Sequence, residues 1–158
     1  MSKHIVVVEN DVMALELTRR LLAAGGYEVT CVSDGEEALR VVPRVKPDLV
    51  LMDVSLPGID GIEVTQRLGR SRRSAAVPVA VLSAQAFGDD VDRARRAGCV
   101  EYMTKPIGAR ELLERVATLT GSKRDAVQRS KRERKRSLVR FRSRCRSARP
   151  CRTRRSEC

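Results

Sequence analysis

Pro47-Asp48-Leu49-Val50-Leu51-Met52-Asp53 is the stretch on which the fold turns. Four apolar residues stand between a proline-led turn and an acid. An unbroken apolar run this short reads as a strand buried on both faces, the habit of strands in a parallel sheet. Open α/β sheets place their sites outside the carboxyl ends of the strands. The residue at that end here is Asp53.

The same pattern recurs on either side. Ile5-Val6-Val7-Val8 is a second buried run and leads into Glu9-Asn10. Residues 12–24 place Leu15, Leu21 and Leu22, with Val12 and Ala14, at helical spacing, and Gly25-Gly26 ends that helix. Residues 27–32 alternate apolar and polar, as an edge strand does. Asp34 caps a second helix with Glu36 and Glu37 near its positive end, and Pro43 limits how far it runs. Downstream of Asp53, Pro57-Gly58 and Asp60-Gly61 punctuate a loop before a short helix over 62–69. Residues 77–82 read as a fourth strand, with Pro78 tolerable only near its start. Helix 89–97, strand 100–103 and helix 109–119 complete the series, the last with Leu112, Leu113, Val116 and Leu119 on one side. Five β–α units with right-handed crossovers predict a doubly wound, five-stranded parallel sheet covered by helices on both faces.

Charge divides the chain. Residues 1–121 carry 16 Lys+Arg against 17 Asp+Glu, and residues 122–158 carry 16 against 3. The net +12 therefore belongs to the tail, and the predicted domain at 1–121 is close to neutral. No apolar stretch approaches the roughly 18 residues of a membrane span, and residues 1–9 do not read as a signal peptide. The expected compartment is the cytoplasm. Cys31 and Cys99 fall within apolar patterns and read as buried small hydrophobes. Cys145, Cys151 and Cys158 lie in the tail, where the spacing suits neither a disulfide framework nor zinc. His4, the one histidine, sits at the start of the first strand, away from any site. The Arg72-Arg73 and Arg95-Arg96 pairs read as solvated charges.

The strand-end rule selects Glu9, Asn10, Asp53, Ser83 and Lys105. Acidic groups at two strand ends suit a hard cation such as Mg2+. With an ammonium and a hydroxyl added, the set matches the needs of phosphoryl transfer: positioning, and neutral charge around three oxygens. The chain resembles the response-regulator receiver family over residues 3–120. The resemblance rests on Val8-Glu9-Asn10, Asp34-Gly35, residues 47–53, Leu56-Pro57-Gly58-Ile59-Asp60-Gly61, Leu82-Ser83-Ala84 and Tyr102-Met103-Thr104-Lys105-Pro106. It implies a flavodoxin-like strand order of 2-1-3-4-5.

It further implies that Asp53 accepts a phosphoryl group from a histidine kinase or histidine phosphotransferase, as a phosphorelay switch and not an enzyme. Mg2+ would sit among Glu9, Asn10, Asp53 and the backbone carbonyl of Ser55. Lys105 would pair with the phosphoryl group, Ser83 would hydrogen-bond it, and Tyr102 would switch with Ser83. Ser55 and Gln85 would tune the lifetime of the phosphate, and the Lys105–Pro106 bond would be cis. Output to a downstream effector protein would pass through residues 89–120. The family usually has two adjacent acids after its first strand; here the second is Asn10, whose amide oxygen brings no charge. Asp11 either compensates by turning inward or serves as a helix N-cap.

Two further readings stay open. One is a phosphorylation-independent binding module, motivated by Asn10. The other is nucleic-acid binding through the Arg-rich tail, by counterion release. The tail also reads as a passive disordered extension or an altered reading frame.

Overall fold

A computed structural model of the chain describes residues 2–85 and 88–121. The expectations for the tail at 122–158 lie outside the described residues. The elements run β1 (His4–Val8), α1 (Val12–Ala24), β2 (Glu28–Val32), α2 (Gly35–Val45), β3 (Leu49–Asp53), α3 (Gly61–Arg70), β4 (Val79–Ser83), α4 (Gly88–Ala97), β5 (Glu101–Thr104) and α5 (Ala109–Gly121). All strand pairs are parallel, in the order β2-β1-β3-β4-β5. The doubly wound fold read from the sequence is the one observed.

Alternation along the strands divides the core into layers. Ile5, Val7, Leu49, Leu51 and Leu82 face one way and pack with Leu22 of α1 and Leu112 and Val116 of α5. Val6, Val8, Val50 and Met52 face the other way, against Ala38 and Val42 of α2 and Val64 and Leu68 of α3. Under α4, Ala94 meets Val81 and Ile62 in a smaller cluster. β1 and β3 are buried on both faces, which is why they read as continuous apolar runs. β2 lies at the edge and is mostly half-buried, in keeping with its alternation.

Several local expectations are corrected. Helix α2 runs two residues past Pro43. It ends instead at Lys46, whose left-handed backbone (φ 47°) turns its N–H onto the Val42 carbonyl ahead of Pro47. Val12, read as part of the buried stripe of α1, is 76% exposed. It sits in the first turn of the helix, beyond the carboxyl edge of the sheet. β4 begins at Val79, directly after Pro78, whose carbonyl accepts from Val50 N–H at 2.9 Å. Cys31 and Cys99 are half-buried free thiols, and burial pushes both pKa values up. His4 accepts structural duty at the far end of the sheet: its ring Nε2 lies 2.8 Å from Thr30 Oγ1, and its N–H donates to Asp48.

Candidate functional site

Parallel strands bring their carboxyl ends to one edge, and there three charges meet. Glu9 directly follows β1, where its N–H donates to the Val32 carbonyl at 3.0 Å and continues the strand register. Asp53 closes β3. Lys105 follows β5, and its N–H donates to the Ser83 carbonyl at 2.7 Å. That bond fixes where the lysine leaves the sheet, and the Lys105–Pro106 peptide is cis. Asp53 is 4% exposed and Glu9 6%.

Burying two carboxylates is costly unless they are paired. The partner is Lys105. Its Nζ hydrogen-bonds a Glu9 carboxylate oxygen and lies 3.3 Å from Asp53 Oδ1. Burial lowers the lysine pKa, but the hydrogen bond to Glu9 and the charges of Asp53 and Glu9 outweigh it, and the net shift is upward. Two carboxylates share one ammonium, so the cleft holds one negative charge in excess.

The side chains of the remaining predicted residues make no hydrogen bond to this trio. Their hydrogen bonds with it run through backbone: Lys105 N–H donates to the Ser83 carbonyl, and Asp11 N–H donates to Glu9 Oε1 at 3.1 Å. Ser83 ends β4. Its Oγ donates to the Gln85 carbonyl at 2.7 Å and accepts from Gln85 N–H at 3.2 Å. The Tyr102 hydroxyl donates to the same carbonyl at 2.9 Å. Gln85 therefore joins Ser83 to Tyr102, a role the spacing of the three residues does not announce. Asn10 is exposed, and its side chain makes no hydrogen bond among the described residues. Ser55 is exposed as well, two residues past β3. Asp11 is the N-cap of α1: its carboxylate accepts from Met13 and Ala14 N–H at 2.8 and 3.0 Å. It faces its own helix, so it does not replace the missing acid.

Asp60 and Gly61, read as loop punctuation and as part of the family resemblance, do more. Asp60 is the N-cap of α3 and accepts from Glu63 N–H at 2.8 Å. Asp-x-x-Glu before an apolar helix was the available signal. Gly61 lies against the backbone of Asp53: a Cβ there would fall 1.9 Å from the Asp53 carbonyl oxygen. No residue pattern declares that contact.

The donors suit a hard divalent cation in kind. They are oxygens only, and Mg2+ commonly uses one or two carboxylates and keeps several waters. Among the described residues, no group of three or more His, Cys, Asp or Glu side chains is placed to hold a metal. The carboxylates of this cleft number two.

Fold and cleft together define a flavodoxin-like α/β domain with a charged site at the carboxyl edge of its sheet. The chain belongs to the response regulator receiver domain family, whose sequence model matches residues 5–117. It is 36% identical over 121 residues to the polar-differentiation response regulators DivK of Brucella ovis and Brucella abortus, covering 77% of this chain and 98% of each relative. Among solved structures it resembles a CheY-like response regulator receiver domain protein from Methanospirillum hungatei, with TM-score 0.75 and 25% identity over 80% of this chain and 99% of that one. It also resembles the receiver domain of the sensor histidine kinase PA1611 from Pseudomonas aeruginosa, with TM-score 0.72 and 31% identity over 77% and 100%. That structure has a magnesium ion coordinated in its active-site cleft. No helix among the described residues is long and apolar enough to cross a membrane.

Proposed function

We propose that this receiver is a phosphorylation switch in which Asp53 is the nucleophile. The observation that carries the reading is the position of Lys105 between Glu9 and Asp53. An ammonium beside a buried carboxylate is placed to stabilise charge arriving on a phosphoryl group. The donor is a phosphohistidine on a histidine kinase or phosphotransferase. An Asp53 carboxylate oxygen attacks phosphorus, the O–P bond forms as the N–P bond breaks, and the imidazole leaves and takes a proton. The product is an aspartyl phosphate. The chain is a switch in this reading, not an enzyme acting on a small substrate, and the exchange takes place in the cytoplasm.

Glu9, Asp53, the Asn10 amide and the Ser55 carbonyl are the groups that would hold Mg2+. When bound, the ion would neutralise charge on the phosphoryl oxygens. Asn10 makes that site one carboxylate short of the usual family pattern, so binding is weaker than with an acid at this position. Lys105 transfers from Glu9 to the phosphoryl group, and Ser83 gives up Gln85 to donate to a phosphoryl oxygen. Because Tyr102 shares the Gln85 carbonyl, its hydroxyl responds as well, and the change passes to α4, β5 and α5, the face offered to an effector.

Access for the donor is favoured along α1. Val12, Met13 and Leu17 are 76%, 80% and 61% exposed there, directly after the Glu9–Asp11 turn. Exposed apolar side chains next to a charged cleft suit a protein partner.

Incubation with acetyl phosphate and Mg2+ is expected to add one phosphoryl group by intact mass, and Asp53→Asn to abolish it. Labelling that survives this substitution refutes the assignment. Absence of labelling, with no Mg2+ binding in the millimolar range, favours the phosphorylation-independent module suggested by Asn10.

A further inference from the structure

The amino edge of the sheet, opposite the cleft, holds a cavity of about 400 Å3 between the last turns of α3 and α4. Small residues make the room: Gly69 from α3, Ala75 from the following loop, Ala97 and Gly98 from the end of α4. A Cβ at Gly69 would meet only the Ala97 carbonyl oxygen, at 3.7 Å. Arg70 and Arg96 stand on either side. Gln66, Arg96 and Ala97 also line an adjoining groove of about 390 Å3, which runs between the two helices to the Asp60–Arg93 ion pair.

The charge here is unbalanced. The side chains of Arg70, Arg72, Arg73, Arg95 and Arg96 make no hydrogen bond or ion pair among the described residues. The nearest arginines along both helices behave differently: Arg67 is paired with Glu63, and Arg93 with Asp60 and Asp90. Part of the unpaired charge offsets the helix ends, each worth about half a negative charge. Two guanidiniums at the cavity against two such ends leave about one positive charge over. Residues 1–121 as a whole are close to neutral, so this cluster is a local feature and not the average of a basic domain.

We propose that this cavity binds a phosphate-bearing small molecule of nucleotide size. Two arginines lining one cavity, with no acidic partner for either side chain, suit a phosphate, which takes bidentate Arg contacts. The volume falls within the usual range for small-ligand sites, about 300–1,000 Å3. The adjoining groove takes the remainder of the ligand, with the Gln66 amide and the Ala97 carbonyl as partners for ring donors and acceptors. A concave site argues for a compact ligand over an extended polyanion, which would need a surface and no cavity.

Titration of the full-length protein with AMP, followed by amide NMR at about 0.15 M salt, tests the proposal. Shifts are expected at Gly69, Ala75 and Gly98. Adenosine, lacking phosphate, is expected to produce none. Arg70→Ser combined with Arg96→Ser should weaken AMP at least about tenfold. Gly69→Leu fills the cavity with every arginine intact, and should abolish the shifts while circular dichroism stays unchanged. Asp53→Asn should leave them in place, which separates this site from the cleft. No shift at those amides up to about 10 mM AMP, shifts that survive Gly69→Leu, or shifts confined to the cleft would each overturn the proposal. So would binding of a DNA duplex at these arginines with no response to AMP, which would mark a polyanion surface.

Discussion

Gly61 approaches the candidate nucleophile more closely than any side chain could. The Asp53 carbonyl occupies the place where a Cβ would stand, and the Gly61 N–H donates to the Val54 carbonyl at 3.0 Å. Gly61→Ala must therefore move either the Asp53 backbone or the start of α3. Overpacking of this kind costs about 1–3 kcal/mol. Urea unfolding should show that loss, and acetyl phosphate labelling should slow as the carboxylate is displaced. A variant as stable and as reactive as the parent would show that the backbone has slack at this point.

Lys105 gives a pH dependence with a definite sign. Its pKa is raised in the fold above the usual 10.5 by Glu9 and Asp53, despite burial. A proton held more tightly in the folded state stabilises the fold at all pH below the unfolded value. That contribution is lost as pH climbs through the folded value. Urea midpoints should fall more steeply above about pH 10.5 in the parent than in Lys105→Met. Equal slopes would mean that the ion pairs contribute nothing to stability. Asp53, Ser83 and Lys105 were legible from sequence because a parallel sheet fixes where strand ends meet. Gly61 was not, because its constraint is an atom it lacks.

At the level of elements, helix starts follow capping chemistry. Asp11, Asp34 and Asp60 each cap the helix that follows, with carboxylates accepting from N–H groups of the first turn. Asp34→Ala is expected to destabilise by about 1 kcal/mol, read from the urea midpoint, with Asp34→Asn close to neutral. Identical losses in both would shift the effect from capping to charge. Asp34 was readable because it precedes an evident helix. Asp11 was ambiguous, since an acid beside the cleft serves equally as ligand or cap until its backbone is seen. Pro43 limited the end of α2 without placing it. A proline in the last turns forfeits one N–H bond but does not forbid two more helical residues, and the left-handed Lys46 is what stops the chain.

For the whole molecule, the parallel sheet decides almost everything. Its two-sided burial was visible in the apolar runs, and its order in the motif resemblance. What sequence could not show is which remote charges converge. Arg70 and Arg96 look like solvated helix charges one at a time, and become one cluster only because α3 and α4 end side by side. Strand β4 joins both regions: Val79 lines the cavity, and Ser83 stands at the cleft. Four residues of strand span about 13 Å. That exceeds the roughly 7–10 Å beyond which substitutions with no shared partner act independently. Stability changes from Asp53→Asn and Arg96→Ser should therefore add within about 0.5 kcal/mol in the double variant. The strand acts as a spacer between a negative pole and a positive one, so either end of the domain is free to be rewritten by mutation without disturbing the other.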